Sequence, residues 1–155
     1  MDGSFHTFDA STGYPVCEFN IEEKSSSITN FQWKPKTREG AYLHHILAIT
    51  DQGYIKKYEG ETGKLLDQIE PTEPGLTLNA LDQSKYGDRF VVAGSDKIAT
   101  VYDDKKWKMI TKLDPFNTEY SGHSNRIFCT KFSPFDKALM VSGGWDNIVL
   151  LYDLR

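Results

Sequence analysis

The sequence predicts an all-β fold built from a repeated unit of up to four short antiparallel strands, on three observations. Apolar runs of strand length recur along the chain, and turn residues close each one before it reaches helix length. An aromatic residue followed by an acid ends a run at Phe8-Asp9, Tyr58-Glu59, Tyr102-Asp103 and Tyr152-Asp153, at intervals of 44 to 50 residues. Such a period signals stacked supersecondary units rather than a sandwich or an up-and-down barrel, neither of which requires it. The last unit, residues 122–155, is the clearest: RIFCTKF, ALMVS and IVLLYD are three runs separated by SPFDK and GGWDN.

In chain order, DGSFHTFDASTGYPVCEFNI reads as one hairpin turning at Ser11-Thr12-Gly13, with Asp2-Gly3 as a preceding turn. SSSITNFQWKPK is a first strand stopped by Pro35, because proline removes a backbone donor. HILAIT, YIKKYE and LLDQI complete that unit, with turns at DQG and GETGK. EPTEPG is an extended crossover to a second complete unit, formed by LTLNALDQS, RFVVAGSDK, IATVYDD and MITKL, with the tip KKWK between its last two strands. The final unit stops after its third run. The expected division is a part-unit at 1–21, complete units at 22–69 and 70–113, and a unit lacking its outer strand at 114–155.

Gly122-His123, Phe132-Ser133-Pro134, Ser142-Gly143-Gly144-Trp145-Asp146-Asn147 and Tyr152-Asp153 together resemble the WD-repeat β-propeller family, strongly over 122–155 and loosely over the middle units. The resemblance implies that each unit is a blade and that the chain is a partial ring of about three blades, since closed propellers have four to eight. Further blades are then expected from the same, longer chain or from another subunit. It also implies a structural tetrad in the last blade: His123, Ser142, Asp146 and Tyr152, with tyrosine where the family usually has tryptophan. The role expected of the four is fold stabilisation, not Ser-His-Asp catalysis. In the earlier blades the tetrad is broken: in one, Gln52 stands at the Asp place with Ala48 near the Ser place and Lys24 near the His place, and in the other Ala93 stands near the Ser place while Asp96 is kept.

Composition is that of an ordinary globular domain, 39% hydrophobic, with 18 basic and 22 acidic residues and no run of five like charges. That removes the usual footprint of nucleic-acid or membrane-surface binding. No secretory leader or membrane-spanning stretch is expected from the MDGSFHTF start. Cys17 and Cys129 lack metal-ligand spacing and are expected as buried reduced thiols, which fits an intracellular, cytoplasmic location, with cytoskeleton, cilium or nucleus as alternatives. His44 and His45 are neighbours and cannot both ligate one metal from a regular strand. No metal site or cofactor is expected, and no phosphate-binding glycine loop, G-x-S-x-G or H-E-x-x-H occurs.

The functional expectation is a non-catalytic scaffold for protein partners within a larger assembly. The alternatives are a building block of a cytoskeletal or axonemal array, and an enzyme on a propeller scaffold. Trp145, in the turn between the second and third strands, is the candidate interface anchor, with Asn125 and Arg126 on the loop feeding the same face and Ser95 and Asp51 at equivalent turns.

Overall fold

A computed structural model describes residues 4–20, 26–35, 44–114 and 122–155; the expected Asp2-Gly3 turn and the Lys24 position lie outside them. Among the described residues there are thirteen strands and no helix. The first sheet pairs β1 (Ser4–Phe8) with β2 (Pro15–Asn20). The second is β3 (Ile28–Trp33), β4 (His45–Thr50), β5 (Ile55–Glu59) and β6 (Leu65–Ile69). The third is β7 (Leu78–Gln83), β8 (Arg89–Gly94), β9 (Ala99–Asp103) and β10 (Lys108–Leu113). The fourth is β11 (Ile127–Phe132), β12 (Leu139–Gly144) and β13 (Val149–Asp153). Every sheet is an antiparallel meander in chain order, and the four are successive blades of a β-propeller arc.

Strand composition follows position in the blade. HILAIT and RFVVAG are second strands, covered on both faces by neighbouring blades, so they read as continuous apolar runs and are buried almost throughout. KMITKL is an outermost strand and is mostly exposed. Each apolar cluster spans two blades. Phe5 and Phe19 pack on Ile46, Ala48 and Tyr58; Leu47, Ile49 and Ile55 on Leu78, Phe90, Val92 and Tyr102; Val91, Ala93, Ala99 and Val101 on Ile127, Phe132 and Met140. At about 1.5–3 kcal/mol per buried large side chain, a few such residues at each junction outweigh any single polar contact there. The matching positions on the last blade, Val149 and Leu151, are 74% and 69% exposed.

The inner strands carry several of the polar contacts between blades. Each has a bulge at its second residue, Thr29, Asn79 and Phe128, where the pairing register shifts. From the first bulge, Thr29 Oγ1 donates to the Leu78 carbonyl of the next blade at 2.6 Å. Asp82, at the middle blade's inner edge, accepts from Gln32 Nε2 at 3.1 Å on one side. On the other it accepts from Lys131 Nζ at 2.6 Å and the Phe132 amide at 2.7 Å. By register Gln32, Asp82 and Lys131 are the same position in three blades, so one carboxylate ties the inner edges together.

Trp107 holds the second and third blades together from outside. Its φ of +55° falls where the sister hairpins have Gly13 and Gly63, a conformation that disfavours a bulky residue. The indole folds back on Phe90 at 5.1 Å, and the Lys57 ammonium lies 5.0 Å from its ring. Lys57 also pairs with Asp67 at 3.0 Å, while Lys56 is buried over Tyr54. The basic residues of YIKKYE are therefore engaged within the fold rather than gathered into an anion site.

Candidate functional site

The tight turns between second and third strands share one face of the arc. In each, the backbone returns to the loop that feeds the inner strand: Asp51 N donates to Ser27 O at 3.0 Å, Ser95 N to Thr77 O at 2.9 Å, and Trp145 N to Arg126 O at 3.0 Å. The approach is so close that a Cβ on Gly144 would lie 2.7 Å from Arg126 O, and one on Gly94 1.9 Å from Thr77 O. The third turn residue is left-handed each time: Gly53, Lys97 and Asn147 have φ of +83°, +67° and +61°.

In the last blade the four tetrad residues form one hydrogen-bonded chain. Asp146 Oδ2 is 2.8 Å from His123 Nδ1, His123 Nε2 is 2.7 Å from Ser142 Oγ, and Ser142 Oγ is 3.2 Å from the Tyr152 hydroxyl. With Asp146 ionised, imidazole donates from Nδ1 and accepts at Nε2 from the serine hydroxyl, which leaves Tyr152 to donate. Asp146 also accepts from the Ser124 amide at 2.9 Å and the Ile148 amide at 3.2 Å. Burial pushes its pKa up, but hydrogen bonds from His123 and these amides outweigh that and hold it below the ordinary aspartate value. Burial raises the Tyr152 phenol, which keeps it a donor.

The order Asp-His-Ser is that of a hydrolase triad, but Ser142 is 1% exposed and hydrogen-bonded on both sides. A nucleophile must reach a carbonyl; this hydroxyl faces only the blade interior. The chain locks the inner-strand loop to the turn.

The third blade shows what happens when the tetrad is broken. Counting from Gly94, the serine position is Val92, one residue from the expected Ala93, whose side chain points to the opposite face. A cavity of about 20 Å³, room for one water, lies among Val92, Asp96, Ile98 and Tyr102. Burial there raises the Asp96 pKa, and the Ile98 amide at 3.3 Å only partly offsets it.

The candidate interface residues divide. Trp145 is 66% exposed and packs on Phe128 of its own blade, ring centroids 4.6 Å apart. Arg126 and Asn125 are exposed beside it, with Asn125 Oδ1 accepting from the Arg126 amide at 2.8 Å. Asp51 and Ser95 do not offer free side chains: the Asp51 carboxylate accepts from the Ser27 amide at 2.7 Å and Ser95 Oγ from the Thr77 amide at 3.0 Å. Phe128 went unread in the sequence, because only the bulge turns it toward Trp145. Cys129 is exposed and Cys17 half-buried, not both buried, since Cys129 lies on the uncovered side of the last blade. His44 precedes β4 and His45 opens it. Among the described residues no three His, Cys, Asp or Glu converge on a metal-sized site, and no helix is long and apolar enough to cross a membrane.

The family model for the WD domain, G-beta repeat, matches residues 115–153. The chain is 25% identical over 116 residues to the uncharacterized WD repeat-containing protein YNL035C of Saccharomyces cerevisiae, covering 72% of this chain. It spans 28% of that relative's length. The crystal structure of the computationally designed Ika4 protein superposes with a TM-score of 0.75 at 20% identity, over 99% of this chain and 81% of that one. WD repeats generally mediate protein–protein interaction. With the ladder of blades and the tetrad in the last of them, these matches support a WD-repeat family for the chain: residues 115–153 match the repeat model, and the chain is similar to a WD repeat-containing protein.

Proposed function

We propose that the chain is a non-catalytic scaffold that binds protein partners inside the cell, in the cytoplasm, as part of a larger assembly. The observation that carries this is Trp145: a large aromatic, 66% exposed, held in place by Phe128 and by its own backbone bond to Arg126. An indole fixed before binding loses little side-chain freedom on docking, and the adjacent Arg126 supplies a charge that a partner carboxylate can meet. A second reading, a building block in a cytoskeletal or axonemal array, draws on exposed Val149 and Leu151, whose equivalents are covered by the next blade elsewhere. In either reading further blades, from the same polypeptide or another subunit, are the natural cover for that face.

The test is quantitative affinity capture from cells with the full-length protein and its Trp145→Ala variant. The variant should lose partners by ~2 kcal/mol or more, the size of an interface hot spot, with an unchanged melting curve. Retention of every partner at wild-type recovery refutes the assignment of Trp145.

A further inference from the structure

The face opposite Trp145 carries two aromatic tips on adjacent blades. There each inner strand enters its second strand through a turn opened by serine, Ser84 after β7 and Ser133 after β11. Ser84 Oγ accepts from the Tyr86 amide at 3.3 Å; Ser133 Oγ accepts from the Phe135 amide at 3.2 Å and the Asp136 amide at 3.1 Å. Asp136 Oδ1 closes the second turn on the Ala138 amide at 2.9 Å. Tyr86 and Phe135 are thus repeat-equivalent, and the turns hold both in the open. Phe135 is 90% exposed, more than any other large apolar side chain among the described residues.

Lys85 joins the two tips. Its ammonium donates to the Pro134 carbonyl, immediately before Phe135, and lies 5.0 Å from the centroid of the Tyr86 ring. An ammonium has three donors, so two remain for a ligand. The nearby carboxylates are committed: Asp136 to its turn, Asp88 to Arg89, Asp153 to Arg155. Among the described residues no carboxylate pairs with Lys85 or Lys137, so the Lys85 ammonium stands in the strip between the two rings without a counter-ion in contact.

We propose that this strip is a second protein-interaction surface, and that it takes an extended acidic peptide segment in which a carboxylate stands between apolar side chains. The carboxylate meets Lys85, with Lys137 adding attraction, and the apolar groups pack on Phe135 and Tyr86.

Panning a displayed random-peptide library against the full chain tests this, followed by fluorescence titration of the enriched peptides. The enriched set should carry Asp or Glu flanked by apolar residues. Phe135→Ala should weaken those peptides at least ~30-fold, which is ~2 kcal/mol at ~1.4 kcal/mol per decade. Lys85→Gln should weaken them ~5-fold, while Trp145→Ala leaves them within twofold. Phe135 is solvated, so its variant should melt with wild type. Enrichment without an acid, affinity unchanged in Phe135→Ala, loss in Trp145→Ala instead, or binding of a single-stranded oligonucleotide through Phe135 with no acidic peptide selected would each overturn the proposal.

Discussion

Replacing Asp82 with alanine removes one side chain that three blades share, and the structure sets the cost. The Phe132 amide, now 2.7 Å from the carboxylate, is left buried without an acceptor, worth about 1–3 kcal/mol. The Gln32 contact at 3.1 Å adds about 0.5–1.5 kcal/mol at most, since Gln32 is only half-buried and can turn to water. The Lys131 pair contributes least, because its side chain is more than half exposed and its ammonium is rehydrated when the partner is lost. Asp82→Ala should therefore cost about 2–4 kcal/mol and lower Tm by roughly 5–15 °C at ~2–4 °C per kcal/mol for a chain of this size. Lys131→Ala should cost under about 1 kcal/mol. Asp82→Asn should recover part of the loss, since one amide oxygen can still accept from Phe132 while its NH₂ faces the Lys131 and Gln32 donors. Urea unfolding of the three variants with calorimetric melts is the assay. The reasoning fails if Asp82→Ala unfolds within about 0.5 kcal/mol of wild type, or if Lys131→Ala costs as much as Asp82→Ala.

Two further predictions concern buried polar groups. Ser142→Ala breaks the tetrad chain at its centre and should destabilise the protein by about 1–3 kcal/mol in urea unfolding, leaving partner binding intact wherever the fold survives; lost binding with an unchanged melt would make the tetrad a ligand site. His45 is buried with Nδ1 unpaired, and burial followed by the ammonium groups of Lys57 and Lys34 lowers its pKa, with Glu59 and Asp104 opposing. The unfolded chain then takes up a proton near pH ~6.5 before the folded one does. Stability should fall as pH drops below that value toward the folded pKa, and His45→Leu should remove this slope. Equal slopes in both proteins between pH 7 and 5 would show that His45 is not responsible.

What the sequence determined by itself was local and periodic. Strand alternation, turn residues and the aromatic-acid ruler sufficed for the meanders, because each blade is made of hairpins whose partners are sequence neighbours. His123, Ser142, Asp146 and Tyr152 were legible for the same reason: all lie within one repeat. Ala93 was misplaced by one residue, since the serine position depends on strand register, and a single-residue offset reverses the face. The roles of Asp51 and Ser95 were not legible, because whether a turn side chain is free depends on how closely the preceding loop returns. Tertiary structure alone decided Asp82, whose partners are 49 and 50 positions along the chain on one side and 50 on the other. It also decided the pairing of Phe128 with Trp145 and the bridge from Lys85 to Pro134. No alternation or turn motif encodes these contacts: Asp82 and Lys85 reach their partners only because apolar faces on successive blades pack and bring residues one repeat apart within hydrogen-bonding distance, and Phe128 meets Trp145 within its own blade only through the bulge in β11.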